Sequence, residues 1–248
     1  MIRRPPRSTL SSSSAASDVY KRQFLTVPMH FIVLIACAWL VGTHTLSFTA
    51  ILLVAIMAGG YSGIGINTAH ELGHKNTRIE QLLAKIVLAV PAYGHFTVEH
   101  NSGHHVKVST PEDPASSRMG ESIYSFAVRE IPETFDRAWQ METKRLEKLK
   151  KPVLSFRNHI IQSYSLSLLL QGSLVLIFGV QLIAFLAIHN LWAWLQLTSA
   201  NYIEHYGLLR VKKSNGRYER CKPHHSWNTN YVLSNIVLFH LERHSLHR

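Results

Sequence analysis

The amino-acid sequence predicts an all-α protein: an integral-membrane helical bundle with a histidine-rich metal site gathered at one end. Three observations carry that prediction. Several apolar runs lack charged side chains and are about 20 residues long, which is what a bilayer-spanning helix needs. The sixteen histidines outnumber the fifteen acidic residues, and many cluster at the polar ends of those runs. The formal charge is +11, and the basic residues sit beside apolar segments. That balance suits an anionic membrane surface. Since no nucleic-acid motif is apparent, nucleic acid is not an expected partner.

Residues 1–23 differ from the rest of the chain. They are Ser-rich, carry five basic residues and one acid, and show almost no apolar periodicity. A transit segment and a disordered basic arm both fit that composition. The favoured expectation is a non-native leader of adapter or cloning-scar type. It leaves residues 24–248 as the partial membrane domain.

Residues 24–43 and 47–66 form two apolar runs joined by His44-Thr45-Leu46, so an antiparallel hairpin is expected. Residues 80–98 hold Pro91 and Gly94 and predict a shorter or kinked helix. The polar stretch 101–121 reads as an ordered loop. Residues 122–151 read as an amphipathic helix on the membrane surface, its basic end toward anionic lipid, or equally as a solvated helix. Two further spans are expected at about 160–180 and 182–206, with Trp192 and Trp194 as interface anchors or core residues. A basic segment at 207–228 follows, then a helical pattern at 229–248. The two cysteines, Cys37 and Cys221, make no disulfide framework. The polar loops and basic segments can share one face, and the positive-inside rule makes that face cytoplasmic.

The second run leads into "NTAHELGHKN". Its core, His70-Glu71-Leu72-Gly73-His74, fits the pattern in which two histidines one helical turn apart bind zinc and the glutamate is a base. More clusters follow. "EHNSGHH" holds His100 and His104 at i, i+4, with His105 pointing elsewhere. His205 ends an apolar span, and "FHLERHSLHR" holds His240, His244 and His247. Alone, His205 reads as a helix-end residue; His30, His44, His95, His159 and His189 are read that way too. Together, the clusters are most simply satisfied by metal, because a buried imidazole needs a partner. Eight or more imidazoles exceed what one zinc takes, so two metals and redox chemistry at iron become the leading reading.

At "NTAHELGHK", "EHNSGHHVKVSTPEDPASSRMGES", "NYIEHYGL" and "HSWNTN…LFHLERHS" the sequence resembles the integral-membrane alkane 1-monooxygenases, or alkane omega-hydroxylases. These are a branch of the histidine-rich membrane group that includes fatty-acid desaturases, and the resemblance covers about residues 24–247. It implies a fatty-acid-desaturase-like transmembrane bundle in a bacterial inner membrane, with a cytoplasmic di-iron site. It also implies oxygen-dependent hydroxylation of an alkane's terminal methyl, with dioxygen as co-substrate. Electrons would come from rubredoxin, itself reduced by an NADH-dependent reductase. Carried over by position, the iron ligands would be His70, His74, His100, His104, His105, His205, His244 and His247. Glu71, Glu99 and Glu204 would orient ligands.

The chemistry agrees with that implication. An alkane offers no charge and no acidic proton, so acid–base or nucleophilic catalysis has nothing to act on. A substrate dissolved in the bilayer would enter between apolar helices. Leu53, Ile56, Met57 and Ile64, on the span leading to His70, are candidates to line that route; packing or lipid contact is the competing reading. The sequence departs from the family's pattern at both ends. The family's N-terminal helix pair has no counterpart. Its last box, His-Ser-Asp-His-His, stands here as His244-Ser245-Leu246-His247-Arg248. The expectation is a fragment that binds iron incompletely and is inactive. The rival readings are a related desaturase or xylene-type hydroxylase, a membrane zinc protease, and a histidine-rich metal transporter.

Overall fold

The structure, a computed structural model, describes residues 12–75 and 77–227. Its elements are helical throughout, apart from one isolated antiparallel bridge between Lys212 and Tyr218. The helices are α1 (Ser12–Thr43), α2 (Phe48–Gly73), α3 (Arg78–Ala89), α4 (Phe96–Glu99) and a π-helical turn (His100–His104). These are followed by α5 (His105–Lys107), α6 (Ile123–Lys148), α7 (His159–Phe178) and α8 (Leu182–His205). Among the described residues four stretches are long and apolar enough to cross a membrane: Thr26–Thr43 within α1, and all of α2, α7 and α8.

The helix starts are written in the chain. Ser47 accepts the Ala50 N–H, Ser122 accepts the Ser125 N–H, and Asn158 accepts those of Ile160 and Ile161. At Thr77 the cap is reciprocal in type: its hydroxyl accepts the Glu80 N–H and donates to the Glu80 carboxylate. Each such cap satisfies donors that the first helical turn leaves open. α7 stops at Gly179, whose φ of 100° is a conformation that favours glycine, and α8 starts three residues later.

α2 lies along α8 with a face of small residues, Ala55, Ala58, Gly59 and Ser62. At Gly59 the helices are so close that a Cβ would stand 2.6 Å from the His189 carbonyl oxygen. One apolar core gathers Leu34, Ala38, Ala55, Leu174 and Phe185 in the body of the bundle. A second gathers Ile66, Leu72, Leu88, Tyr93 and Phe96 under the histidine-bearing end. Leucines such as Leu168, Leu169 and Leu176 face outward, as lipid-facing positions would.

The element boundaries differ from the expected ones in places. α1 begins at Ser12, twelve residues before the first expected span. Residues 101–107 are helical, and the loop begins at Val108. The run at 80–98 holds the expected shorter helix, 12 residues ending before Pro91, and then a turn and a second short helix. α6 turns its buried stripe, Phe126, Ala127, Glu130, Thr134 and Ala138, onto the protein, against α4 and α8.

Candidate metal centre

α2 continues unbroken through the first motif, and its last turn carries His70, with His74 at the C-cap. Four residues apart, the two rings share a face, and their Nε2 atoms are 3.0 Å from one another. His100 and His105 complete a cluster with them. One ligand nitrogen from each of the four lies within 4.8 Å of all the others. The His74 and His105 Nε2 atoms are also 3.0 Å apart.

The second motif reaches this arrangement through an unusual backbone. Residues i and i+5 of an α-helix diverge by about 140°, which is why His105 is expected to point away from His100. Here His100–His104 form a π-helical turn, and the His105 N–H bonds to the His100 carbonyl. The wider turn brings His105 back beside His100, with ring centroids 4.4 Å apart. Such turns are frequent at functional sites. The i, i+4 partner of His100 is the residue that leaves the cluster: His104 packs on His205, centroid to centroid 4.9 Å. The expectation for His105 is therefore reversed.

A buried polar shell holds the His104–His205 pair. The His104 Nδ1 donates to the Asp113 carboxylate at 2.9 Å, so its lone pair lies on Nε2. Asp113 also accepts from the Ser116 hydroxyl at 2.6 Å and from the Arg137 guanidinium at 2.8 Å. Burial pushes the Asp113 carboxyl up, but His104 and Ser116 outweigh it, leaving the group below its ordinary value. Arg137 reaches Glu99 as well. His205 is held from behind by the His225 carbonyl, 3.4 Å from its Nδ1. The Ser109 hydroxyl donates to that same carbonyl at 2.8 Å.

The three expected orienting glutamates fare differently. Glu71 Oε1 stands 3.6 Å from His70 Nδ1, within an ion pair's reach. Glu99 touches Arg137, and so reaches the histidines through Asp113. Glu204 Oε1 is 3.9 Å from His205 Nε2. Of the proposed channel residues, Leu53 and Met57 are turned to the outer surface, 57% and 76% exposed, because the small face of α2 takes the packing contact with α8. Ile56 and Ile64 are half-buried. His240, His244 and His247 lie outside the described residues.

Sequence reasoning missed Asp113, Arg137, Glu130 and the His225 carbonyl. The signal for Asp113 was its place between Pro111 and Pro114 in a loop that follows a histidine cluster. Nothing in the pattern of α6 marked Glu130 as buried or Arg137 as turned toward the histidines. Glu130 is fully buried; burial raises its pKa, and hydrogen bonds from Thr198 and Asn201 offset part of that.

Glu219, His224 and His225 form a second group close enough to share an ion. It is a poor ligand set. The His225 Nδ1 accepts the Lys222 backbone N–H at 2.9 Å, so in the neutral ring Nε2 carries the proton. The Lys222 ammonium also holds Glu219 at 2.9 Å.

The six described imidazoles suit a metal by their chemistry. They bring nitrogen donors at spacings of a few ångströms, and at His104 and His205 the rear nitrogen is hydrogen-bonded, which is how metal-bound histidines are commonly held. Comparison with known proteins agrees. An alkane 1-monooxygenase of Ectopseudomonas oleovorans is 54% identical over 224 residues, 90% of this chain and 56% of that protein. Alkane 1-monooxygenase 1 of Alcanivorax borkumensis is 50% identical over 243 residues, 98% of this chain and 60% of that protein. A xylene/toluene monooxygenase hydroxylase component of Pseudomonas putida is 25% identical over 161 residues. The chain thus spans under two thirds of the length of its alkane 1-monooxygenase relatives. The fatty acid desaturase family profile matches residues 43–247, most of the sequence, and the chain belongs to that family.

Proposed function

We propose that the protein is an alkane 1-monooxygenase that hydroxylates the terminal methyl of an alkane at a non-haem di-iron centre. The balanced reaction takes R–CH3, dioxygen, two electrons and two protons to R–CH2OH and water. Rubredoxin supplies the electrons, and an NADH-dependent reductase supplies rubredoxin. The observation that carries this reading is the convergence of six imidazoles from α2, the π-helical segment and α8 on one end of a membrane-type bundle. A transporter would instead string its histidines along a path, and a zinc protease motif accounts for only two of them.

One iron would be held by His70, His74, His100 and His105. The other would be held by His104 and His205, with His244 and His247 as further ligands from the family pattern. Bound there, iron would supply the dioxygen activation and hydrogen abstraction that an inert C–H bond demands.

The chain's own residues prepare that site. Asp113 keeps the His104 lone pair on Nε2, and the His225 carbonyl does the same for His205. Ile66, Leu72 and Phe96 wall off the bundle side, so water is excluded where the chain end would arrive. Glu71 is an orienting group for His70 rather than a base. Leu53 and Met57 are lipid-facing, and a substrate route would use Ile56 and Ile64 instead. The basic segments beside the histidine-bearing end, including Lys144, Arg145, Lys148, Lys212 and Lys213, favour a cytoplasmic orientation in a bacterial inner membrane by the positive-inside rule.

The test is metal analysis of the full-length protein together with rubredoxin-coupled turnover of a medium-chain alkane. Iron and an oxygen-dependent terminal alcohol are expected. Stoichiometric zinc without iron, or no such alcohol, overturns the reading.

A further inference from the structure

Resting on that reading, we propose that Glu130 is a positioning residue for the metal centre: its carboxylate grips Thr198 and Asn201 and thereby sets the rotation and height at which α8 presents His205 to His104.

A carboxylate on the buried stripe of an amphipathic helix is costly unless it is bonded. Glu130 is 1% exposed, and both its oxygens are engaged. The Thr198 hydroxyl donates to Oε2 at 2.7 Å, and the Asn201 amide donates to Oε1 at 3.0 Å. Both donors lie on α8. Thr198, Asn201 and His205 follow one another at i, i+3 and i+7, so all three fall within about 60° on one face of the helix. The glutamate therefore holds the stripe that ends in the ligand.

The other half of the relationship is on the same helix. Arg137, seven residues after Glu130, lies on nearly the same face of α6. It holds Asp113, and Asp113 holds His104. One helix thus carries two grips, one acting on His205 through α8 and one acting on His104 through Asp113. The 4.9 Å ring separation is fixed between them.

An apolar residue at position 130 would fill the same space. It would leave Thr198 and Asn201 without their acceptor, and packing alone would let α8 turn or slide. Two hydrogen bonds with defined directions remove that freedom. The Glu130 oxygens bond to Thr198 and Asn201 rather than to an imidazole, so it acts on the centre chiefly through the placement of α8, with a longer-range electrostatic influence on His104.

The experiment loads the purified membrane protein with iron-57 and compares wild type with Glu130→Leu, Glu130→Gln and the α8 pair Thr198→Val with Asn201→Leu. The readouts are iron per chain, chelator-competition affinity and the Mössbauer spectrum. In Glu130→Leu and in the α8 pair, one of two iron environments should weaken by about 10- to 100-fold, the scale for losing an outer-shell partner. Its doublet should fade while the other persists. Glu130→Gln keeps an acceptor oxygen and should recover most of the loss. Undiminished iron with an unchanged spectrum in Glu130→Leu overturns the proposal. If that variant fails to accumulate, the α8 pair decides by the same criterion. Wild type that takes up no iron counts against the di-iron reading instead; Co(II) absorption bands at the same histidines then decide the role of Glu130.

Discussion

Asp113 and His104 form a buried pair, with the carboxylate oxygen 2.9 Å from Nδ1, and Arg137 closes on the opposite oxygen of the same carboxylate. The aspartate thus fixes which imidazole nitrogen faces a metal, and the guanidinium fixes the aspartate. Asp113→Asn keeps the size but removes the charge. Iron affinity should fall about 10- to 100-fold, measured by competition with a chromogenic chelator. A variant with unaltered affinity would show that His104 needs no anionic partner.

Gly103 sits inside the π-helical turn, where a Cβ would come within 2.9 Å of the Arg137 Nε. That guanidinium is not a loose chain end, since Glu99 and Asp113 both hold it. Gly103→Ala should therefore displace Arg137 and cost about 1–3 kcal/mol, the scale of a buried charged hydrogen bond lost. Thermal melts in detergent read the cost. The double variant Gly103→Ala with Arg137→Ala should lose less than the sum of the two single changes.

The bundle was legible where periodicity and length carry the information. α7 and α8 lie at His159–Phe178 and Leu182–His205, against expected spans of about 160–180 and 182–206. The metal-binding character of the motifs was legible from residue type and spacing. What was hidden depends on backbone geometry or on distant partners. A π-helical turn cannot be read from an i, i+4 rule, so His105 and His104 exchanged places. Asp113 and Arg137 are 24 residues apart and meet only once α6 crosses the site. Bulky side chains on an apolar run do not announce which face is inward; on α2 the small residues mark the face against α8.

Glu121 and Arg129 tie the loop that carries Asp113 to α6. Arg129 donates to both Glu121 oxygens and also to the Pro114 and Ser116 carbonyls. The Arg129 hydrogen bond, against some opposition from burial, holds the Glu121 carboxyl below its ordinary value. A depressed carboxyl contributes stability above its unfolded pKa, about 4.3, and loses it as pH falls through the folded value. Glu121→Gln should cost about 1 kcal/mol at neutral pH, a modest figure because the pair is near solvent. The difference from wild type should shrink as melts are taken below about pH 4. A gap independent of pH would mean that packing, not the charge, holds the loop.

Inside the spans, a polar ladder joins three helices and reaches the turn after α3. The Ser62 hydroxyl is 2.8 Å from His189 Nε2, and His189 Nδ1 is 2.9 Å from Asn190 Oδ1. Asn190 and Gln171 exchange hydrogen bonds, and Gln171 donates onward to the Val90 carbonyl. Ser62→Ala removes one rung and leaves the buried imidazole nitrogen without it. In a bilayer setting that should cost about 0.6–2 kcal/mol, because the unfolded-in-membrane state also finds partners. Gly59→Ala, one turn away, should cost more. Its new methyl meets the His189 carbonyl at 2.6 Å, a backbone atom that cannot swing aside. The helices would have to separate along the contact that brings His70 and His205 to the same end. Detergent melts should therefore rank Gly59→Ala below Ser62→Ala, and Gly59→Ala alone should also weaken iron binding. The reverse order would place the α2–α8 register in the hydrogen bonds rather than in the close backbone approach.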